Sequence, residues 1–139
     1  MLDDPTRQSL IDAAIAVRAH AHAPYSHFHV GAAVLDEQGR IHAGCNVENA
    51  AYPVSQCAEA TALGVMVAAG GRRARALVVV GHASGGAWVT PCGGCRQRLR
   101  EFADPDTPVL IVGAQGLQAT LTLDELLPHS FGPDHLSST

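Results

Sequence analysis

Two short stretches hold most of the side chains that could do chemistry: "QCAEAT" at residues 56–61 and "PCGGC" at residues 91–95. Each reads as the start of a helix. Ser55 can cap one running from Gln56 to about Ala69, and Thr90, followed by Pro91 at the first helical position, can cap another running to about Phe102. Cys57, Cys92 and Cys95 are thereby expected at two helix N-termini. The positive end of a helix dipole lowers a thiol's pKa there and helps to hold several thiolates around one cation.

The Cys92-Gly-Gly-Cys95 spacing is a common metal-binding one, and its glycines leave room for backbone amides beside the sulfurs. The same spacing also fits a redox pair, or two buried thiols acting as small hydrophobes. Glu59 favours the metal. Helical residues two apart point about 200° from each other, so Glu59 makes a poor fourth ligand beside Cys57 and a better group at the metal's open face. Three protein ligands with an open fourth position describe a catalytic zinc. Its bound water is acidified toward hydroxide, and a carboxylate at its edge can move the proton. Cys45 is the competing fourth ligand, which would close the site into a structural one; its other reading is a buried small hydrophobe. The eight histidines include no HExxH pair, and His20, His22, His42, His82 and His135 read as solvated or packing residues.

Helices and strands must bring these groups together. Apolar residues at Leu10, Ile11, Ala14, Ile15 and Val17 follow helical spacing from Thr6 to about Ala21. "FHVGAAVLD" (28–36) and "RIHAGCNVE" (40–48) are β-rich and flank "EQG", a turn short enough to force an antiparallel hairpin. "ALVVVGH" (76–82) is a continuous apolar run, as in a strand covered on both faces. "AWVT" (87–90) resembles a further short strand, and "PVLIVG" (108–113) and "QATLTL" (118–123) form a pair joined by "AQG". This alternation predicts an α/β protein, a three-layer α/β/α sandwich on a mixed sheet of about five strands, with residues 1–139 as a single domain.

Composition limits the partners. The formal charge is −4, and all nine basic residues are arginine. Gripping a nucleic-acid backbone takes clustered basic residues, so a small neutral or cationic ligand is expected and nucleic acid is not. The absence of lysine rules out Schiff-base chemistry and a Walker-type phosphate loop. The longest apolar runs fall far short of a membrane span. "MLDDPTRQ" has acids where a secretory signal has bases, so a cytoplasmic location is expected, and in that reducing setting four cysteines are more often metal-binding or catalytic than disulfide-bonded.

Beyond residue chemistry, CxE followed by PCxxC closely resembles the zinc-dependent nucleoside deaminases, whose general mechanism is long described. "APYSHFHVGAA" (23–33), "GCNVENAAYP" (44–53), "CAEAT" (57–61), "PCGGCRQ" (91–97) and "LLPHSFGPDHL" (126–136) are similar, in family order, to the small free-nucleoside cytidine deaminases. The resemblance implies that Cys57, Cys92 and Cys95 bind Zn2+ and that Glu59 is the proton shuttle. A zinc-bound hydroxide would attack C4 of cytosine, and the amine would leave as ammonia. It further implies that Asn46 and Glu48 hold the ribose hydroxyls, that Phe28 packs on the pyrimidine, and that the backbone around Ala58 faces the exocyclic amine. Members of this type are homotetramers active in pyrimidine salvage, and by the resemblance Tyr52 and Phe131 would reach a neighbouring subunit's site. That turns the "SFGPDHLSST" tail from a frayed end into an intersubunit element.

The sequence departs from the family pattern at Ala60, where the family usually has an arginine beside the thiolates. Backbone amides at the two helix starts, aided by Arg96, are expected to take over its work, leaving a more electron-rich metal. The open space is compatible with modified cytosine nucleosides, or with the cytosine antibiotic blasticidin S, as alternative substrates. A non-enzymatic domain stabilised by a four-cysteine zinc site is the remaining rival.

Overall fold

A computed structural model describes residues 2–137. Helix α1 spans Asp4–Arg18, two residues earlier at its start than the apolar spacing suggests, because Asp3 accepts a 2.8 Å hydrogen bond from the Thr6 amide and Pro5 suits a first turn. Strands β1 (Gly31–Asp36) and β2 (Ile41–Cys45) form the expected antiparallel hairpin. Helix α2 (Ala58–Ala68) leads to β3 (Ala74–Val80); α3 (Gly93–Arg100) leads to β4 (Pro108–Gly113), β5 (Gly116–Thr122) and the single-turn α4 (Leu123–Leu126). The sheet order is β2-β1-β3-β4-β5, with β3 and β4 parallel and every other pair antiparallel. The predicted mixed five-stranded sandwich is what forms.

Period-two alternation sends the sheet's apolar side chains to opposite faces, and each face has its own core. On one, Leu10, Ile11 and Ala14 of α1 cover Ala33, Leu35, Val78 and Leu110. On the other, Leu63 and Met66 of α2, Leu99 of α3 and Leu123 of α4 cover Val34, Leu77, Val79 and Ile111. Each of the valine, leucine, isoleucine and methionine side chains, fully buried, contributes about 1.5–3 kcal/mol. Two glycines let the helices lie this close. A Cβ on Gly31 would press on the carbonyl oxygen of Ala14, and one on Gly44 would press on the amide of Ala62 while sitting 2.8 Å from both the carbonyl carbon and the Cβ of Thr61.

Asp36, fully buried at the β1–β2 turn, accepts hydrogen bonds from the amides of Gln38 (2.8 Å) and Arg40 (2.9 Å) and from Arg40 Nε (2.9 Å). His42 Nε2 lies 2.8 Å from Oδ2, the oxygen that Arg40 Nε also reaches. Burial alone would raise this carboxyl's pKa, but these partners hold it well below the usual range.

Two local expectations fail. Residues 87–90 form no strand: β1 and β4 already occupy both sides of β3, and Gly85 and Gly86, at φ +69° and +72°, turn the chain back so that Val89 packs against Gly81. Neither Ser55 nor Thr90 caps a helix. Ser55 Oγ accepts from the Asn49 amide, Thr90 Oγ1 accepts from Arg96, and Cys57 and Cys92 occupy the cap positions. The C-terminal segment is docked: Arg100 donates to Ser130 Oγ and Asp134, and Gln97 donates to the Phe131 carbonyl. Ser138 and Thr139, the end of the tail expected to be intersubunit, lie outside the described residues.

Candidate active site

Helices α2 and α3 begin side by side. Cys57 is the cap residue of α2, Cys92 that of α3, and Cys95 lies in the first turn of α3, fully buried. Neither cap side chain bonds to its own helix, so sulfur stands where the orphan first-turn N–H groups and the positive dipole end converge. The three Sγ atoms lie within 4.8 Å of one another, and Cys57 and Cys92 are 3.8 Å apart. Zn–S bonds of about 2.3 Å at tetrahedral angles place sulfurs about 3.8 Å apart, so the donor set fits zinc.

The charges of the three sulfurs are mutually dependent. Hydrogen bonding from Cys95, then from Cys92, outweighs burial and brings the Cys57 thiol down to about 6. The Cys95 thiol is pushed up because it is the donor to Cys57 and is buried. The thiolate form of Cys57 is thus favoured before any cation is counted. Cys45 does not join them. Gly44 faces α2, so its neighbour on the strand points to the α1 side of the sheet, which removes the four-cysteine site.

Glu59, in the first turn of α2, is 4% exposed and stands outside the thiol cluster while sharing its cleft, as its helical position predicts. Burial, reinforced by the charge of Cys57, pushes its carboxyl up to about 7 before any cation is counted.

A cleft of about 280 Å³ runs from Cys57, Cys92 and Glu59 past Ala58 to Phe28, Asn46 and Glu48. Asn46 Oδ1 accepts from the Val30 amide (2.9 Å) and its Nδ2 donates to the Phe28 carbonyl (2.8 Å). Each end of the amide retains one free hydrogen-bonding position. Glu48 accepts from the amides of Tyr25 (3.0 Å) and Ser26 (3.1 Å) and from Ser26 Oγ, which holds its carboxyl below the usual range. Phe28 is 39% exposed in the cleft wall.

The other two expected contacts stand apart. Tyr52, 68% exposed, packs edge-on against Tyr25 with ring centroids 5.6 Å apart and borders an adjoining hollow shared with Glu48. Phe131, 56% exposed, stacks on His135 at 4.9 Å and does not line this chain's cleft. Arg96 is also not where it was expected to act. It spends its guanidinium on the carbonyls of Pro91 (2.7 Å) and Leu126 (2.6 Å) and on Thr90, fixing the approach to Cys92. Val89 and Thr90 line the cleft and were missed, because the alternation of "AWVT" reads as a strand. Ser26 was missed too; only its place in "APYS", two residues before Phe28, could have suggested it.

Residues 5–111 match the family described as the cytidine and deoxycytidylate deaminase zinc-binding region. The chain is 42% identical over 130 residues to a cytidine deaminase of Sporosarcina psychrophila, covering 94% of each. It is 41% identical over 131 residues to one from Halalkalibacterium halodurans, covering 94% of this chain and 98% of that one. Among solved structures it resembles the cytidine deaminase of Burkholderia pseudomallei, with 44% identity, a TM-score of 0.83, and coverage of 89% of this chain and 98% of that one. The cytidine deaminase of Mycobacterium tuberculosis aligns at 38% identity and TM-score 0.74, over 91% and 97% of the two chains.

Proposed function

The chain belongs to the zinc-binding cytidine and deoxycytidylate deaminase family, and from that membership we propose that it hydrolyses cytidine and deoxycytidine to uridine and deoxyuridine, releasing ammonia. The observation that carries this reading is the meeting, in one small cleft, of a three-thiol cluster with a buried carboxylate that is not part of it.

Cys57, Cys92 and Cys95 hold the zinc, which supplies Lewis acidity enough for a water to lose its proton near neutral pH. Glu59 takes that proton and delivers it to N3 of the pyrimidine as the water oxygen bonds to C4; it then takes the second proton from the new C4 hydroxyl and passes it to the amine, so that the C4–N4 bond breaks as the C4 carbonyl forms. A carboxyl poised near 7 can both take and give a proton at neutral pH. The backbone at Ala58 faces the amine, and Phe28 packs on the base. Asn46 donates to and accepts from the sugar hydroxyls through the positions its own hydrogen bonds leave free, and the Glu48 carboxylate accepts from them.

Among the described residues no cation lines the cleft, and Glu48 at its sugar end repels a phosphate, which favours a nucleoside over a nucleotide. The presence of both Asn46 and Glu48 on the cleft wall supports a ribose-bearing substrate over blasticidin S. Tyr52 and Phe131, exposed on the single chain, reach neighbouring sites in a homotetramer, and the enzyme serves pyrimidine salvage in the cytoplasm. No helix among the described residues is long and apolar enough to cross a membrane.

The test is Glu59→Gln. Loss of cytidine absorbance should slow by several orders of magnitude, on the order of 10³-fold or more, with zinc content unchanged. Deamination persisting at the wild-type rate, or a wild-type protein that is full of zinc and inert toward cytidine, would refute the reading. Ammonia release measured with cytidine and with blasticidin S decides between substrates.

A further inference from the structure

Three thiolates and one divalent cation leave a net charge of −1 at the junction of α2 and α3. That charge needs a counterpart, and Arg96 is spent elsewhere. Arg100, on the same helix, is committed to Ser130 and Asp134. The guanidinium of Arg98, between them in sequence, has no hydrogen bond or ion pair among the described residues. It is exposed, and it lines a groove of about 840 Å³ whose far wall is Cys57 and Ala60 of α2.

Its guanidinium is folded back toward the start of its own helix. Nη1 would lie 3.0 Å from a Cβ placed on Gly94, and Cys92 Sγ is 3.9 Å from that same point. Gly94, in lacking a side chain, leaves the way between cation and sulfur open. Ala60 does the same across the groove. The acid nearest in sequence, Glu101, lines the groove one turn further along α3 without pairing with Arg98.

We infer that Arg98 is a positioning residue for the metal site, a through-space counter-charge that reaches the thiolates across the gap between Gly94 and Ala60. The inference rests on Cys57, Cys92 and Cys95 holding zinc. Outer contacts of this kind tune how tightly a site holds its metal and how its ligands carry charge.

Zinc affinity measured by chelator competition on purified wild type, Arg98→Gln and Arg98→Lys provides the test. Arg98→Gln should weaken zinc by about tenfold at low salt, with the gap closing as ionic strength rises because the groove is open to solvent. Arg98→Lys, which keeps the charge, should stay close to wild type. Equal affinity of Arg98→Gln and wild type at every salt concentration overturns the inference, as does a lysine variant as weak as the glutamine one. A wild-type chain that binds no zinc would instead overturn the metal reading beneath it.

Discussion

Gly44→Ala adds a single methyl group 13 residues from the first cysteine of the site, and the structure says it should cost both stability and catalysis. The new Cβ would meet the amide of Ala62 and lie 2.8 Å from the carbonyl carbon and Cβ of Thr61, all rigid parts of α2. Ordinary carbon contacts are about 3.5–4 Å, so α2 must retreat from the sheet by about 1 Å. Overpacking of this kind costs about 1–3 kcal/mol, and a chain of this size loses about 4 °C of Tm for each kcal/mol. Because α2 carries Cys57 and Glu59 while α3 carries Cys92 and Cys95, the same retreat opens the thiol triangle and moves the carboxylate proposed as proton shuttle. A 1 Å misplacement is worth about 100-fold in rate. Gly64→Ala, on the same helix with nothing within 4 Å of its Cβ, is the control and should stabilise by about 0.5–1 kcal/mol. Thermal melts and kcat/KM on the two variants give the comparison. Gly44→Ala behaving like Gly64→Ala would refute the argument that this close approach sets the site.

Two further substitutions separate neighbouring roles. Cys92→Ser should weaken zinc by more than the roughly 10–100-fold that outer contacts are worth, whereas Cys45→Ser, on the other face of the sheet, should leave zinc content unchanged; metal analysis after dialysis reads both. Asp36→Asn replaces the buried carboxylate shared by Arg40 and His42 with a neutral amide and should cost about 3–5 kcal/mol in urea unfolding at neutral pH. Since the folded-state pKa of Asp36 is depressed, its contribution is complete above the unfolded value of 3.8 and fades only as pH falls toward the folded value. The gap between wild type and variant should therefore shrink in acid, and a gap that stays constant from about pH 6 to about pH 2 would contradict this.

The chemistry was more legible in the sequence than the places where its elements begin. Oxygen-bearing side chains are the usual caps, so Ser55 and Thr90 looked like helix starts. The true cap positions are held by cysteines, whose side chains make no bond to their own helices. "AWVT" alternates like a strand, but only the completed sheet reveals that no edge beside β3 is free, and so that Val89 and Thr90 fall to the cleft. The parity of Gly44 and Cys45 was plain from alternation alone. Which face α2 would cover was not, and that decided against Cys45. Arg96 and Arg98 could not be told apart by spacing, since the difference lies in the carbonyls that Pro91 and Leu126 present.

Glu48 does more than border the cleft. Its carboxylate grips Ser26, and Ser26 Oγ in turn accepts the amide of Phe28 at 3.0 Å, so the side chain assigned to the sugar and the ring assigned to the base share one short relay. Under the proposed assignment, sugar and pyrimidine are read by a single connected device, and their binding energies should not add. A base stripped of its sugar would forfeit part of its own stacking platform as well as the hydroxyl contacts, making discrimination against free cytosine a property of the wiring of residues 25–28.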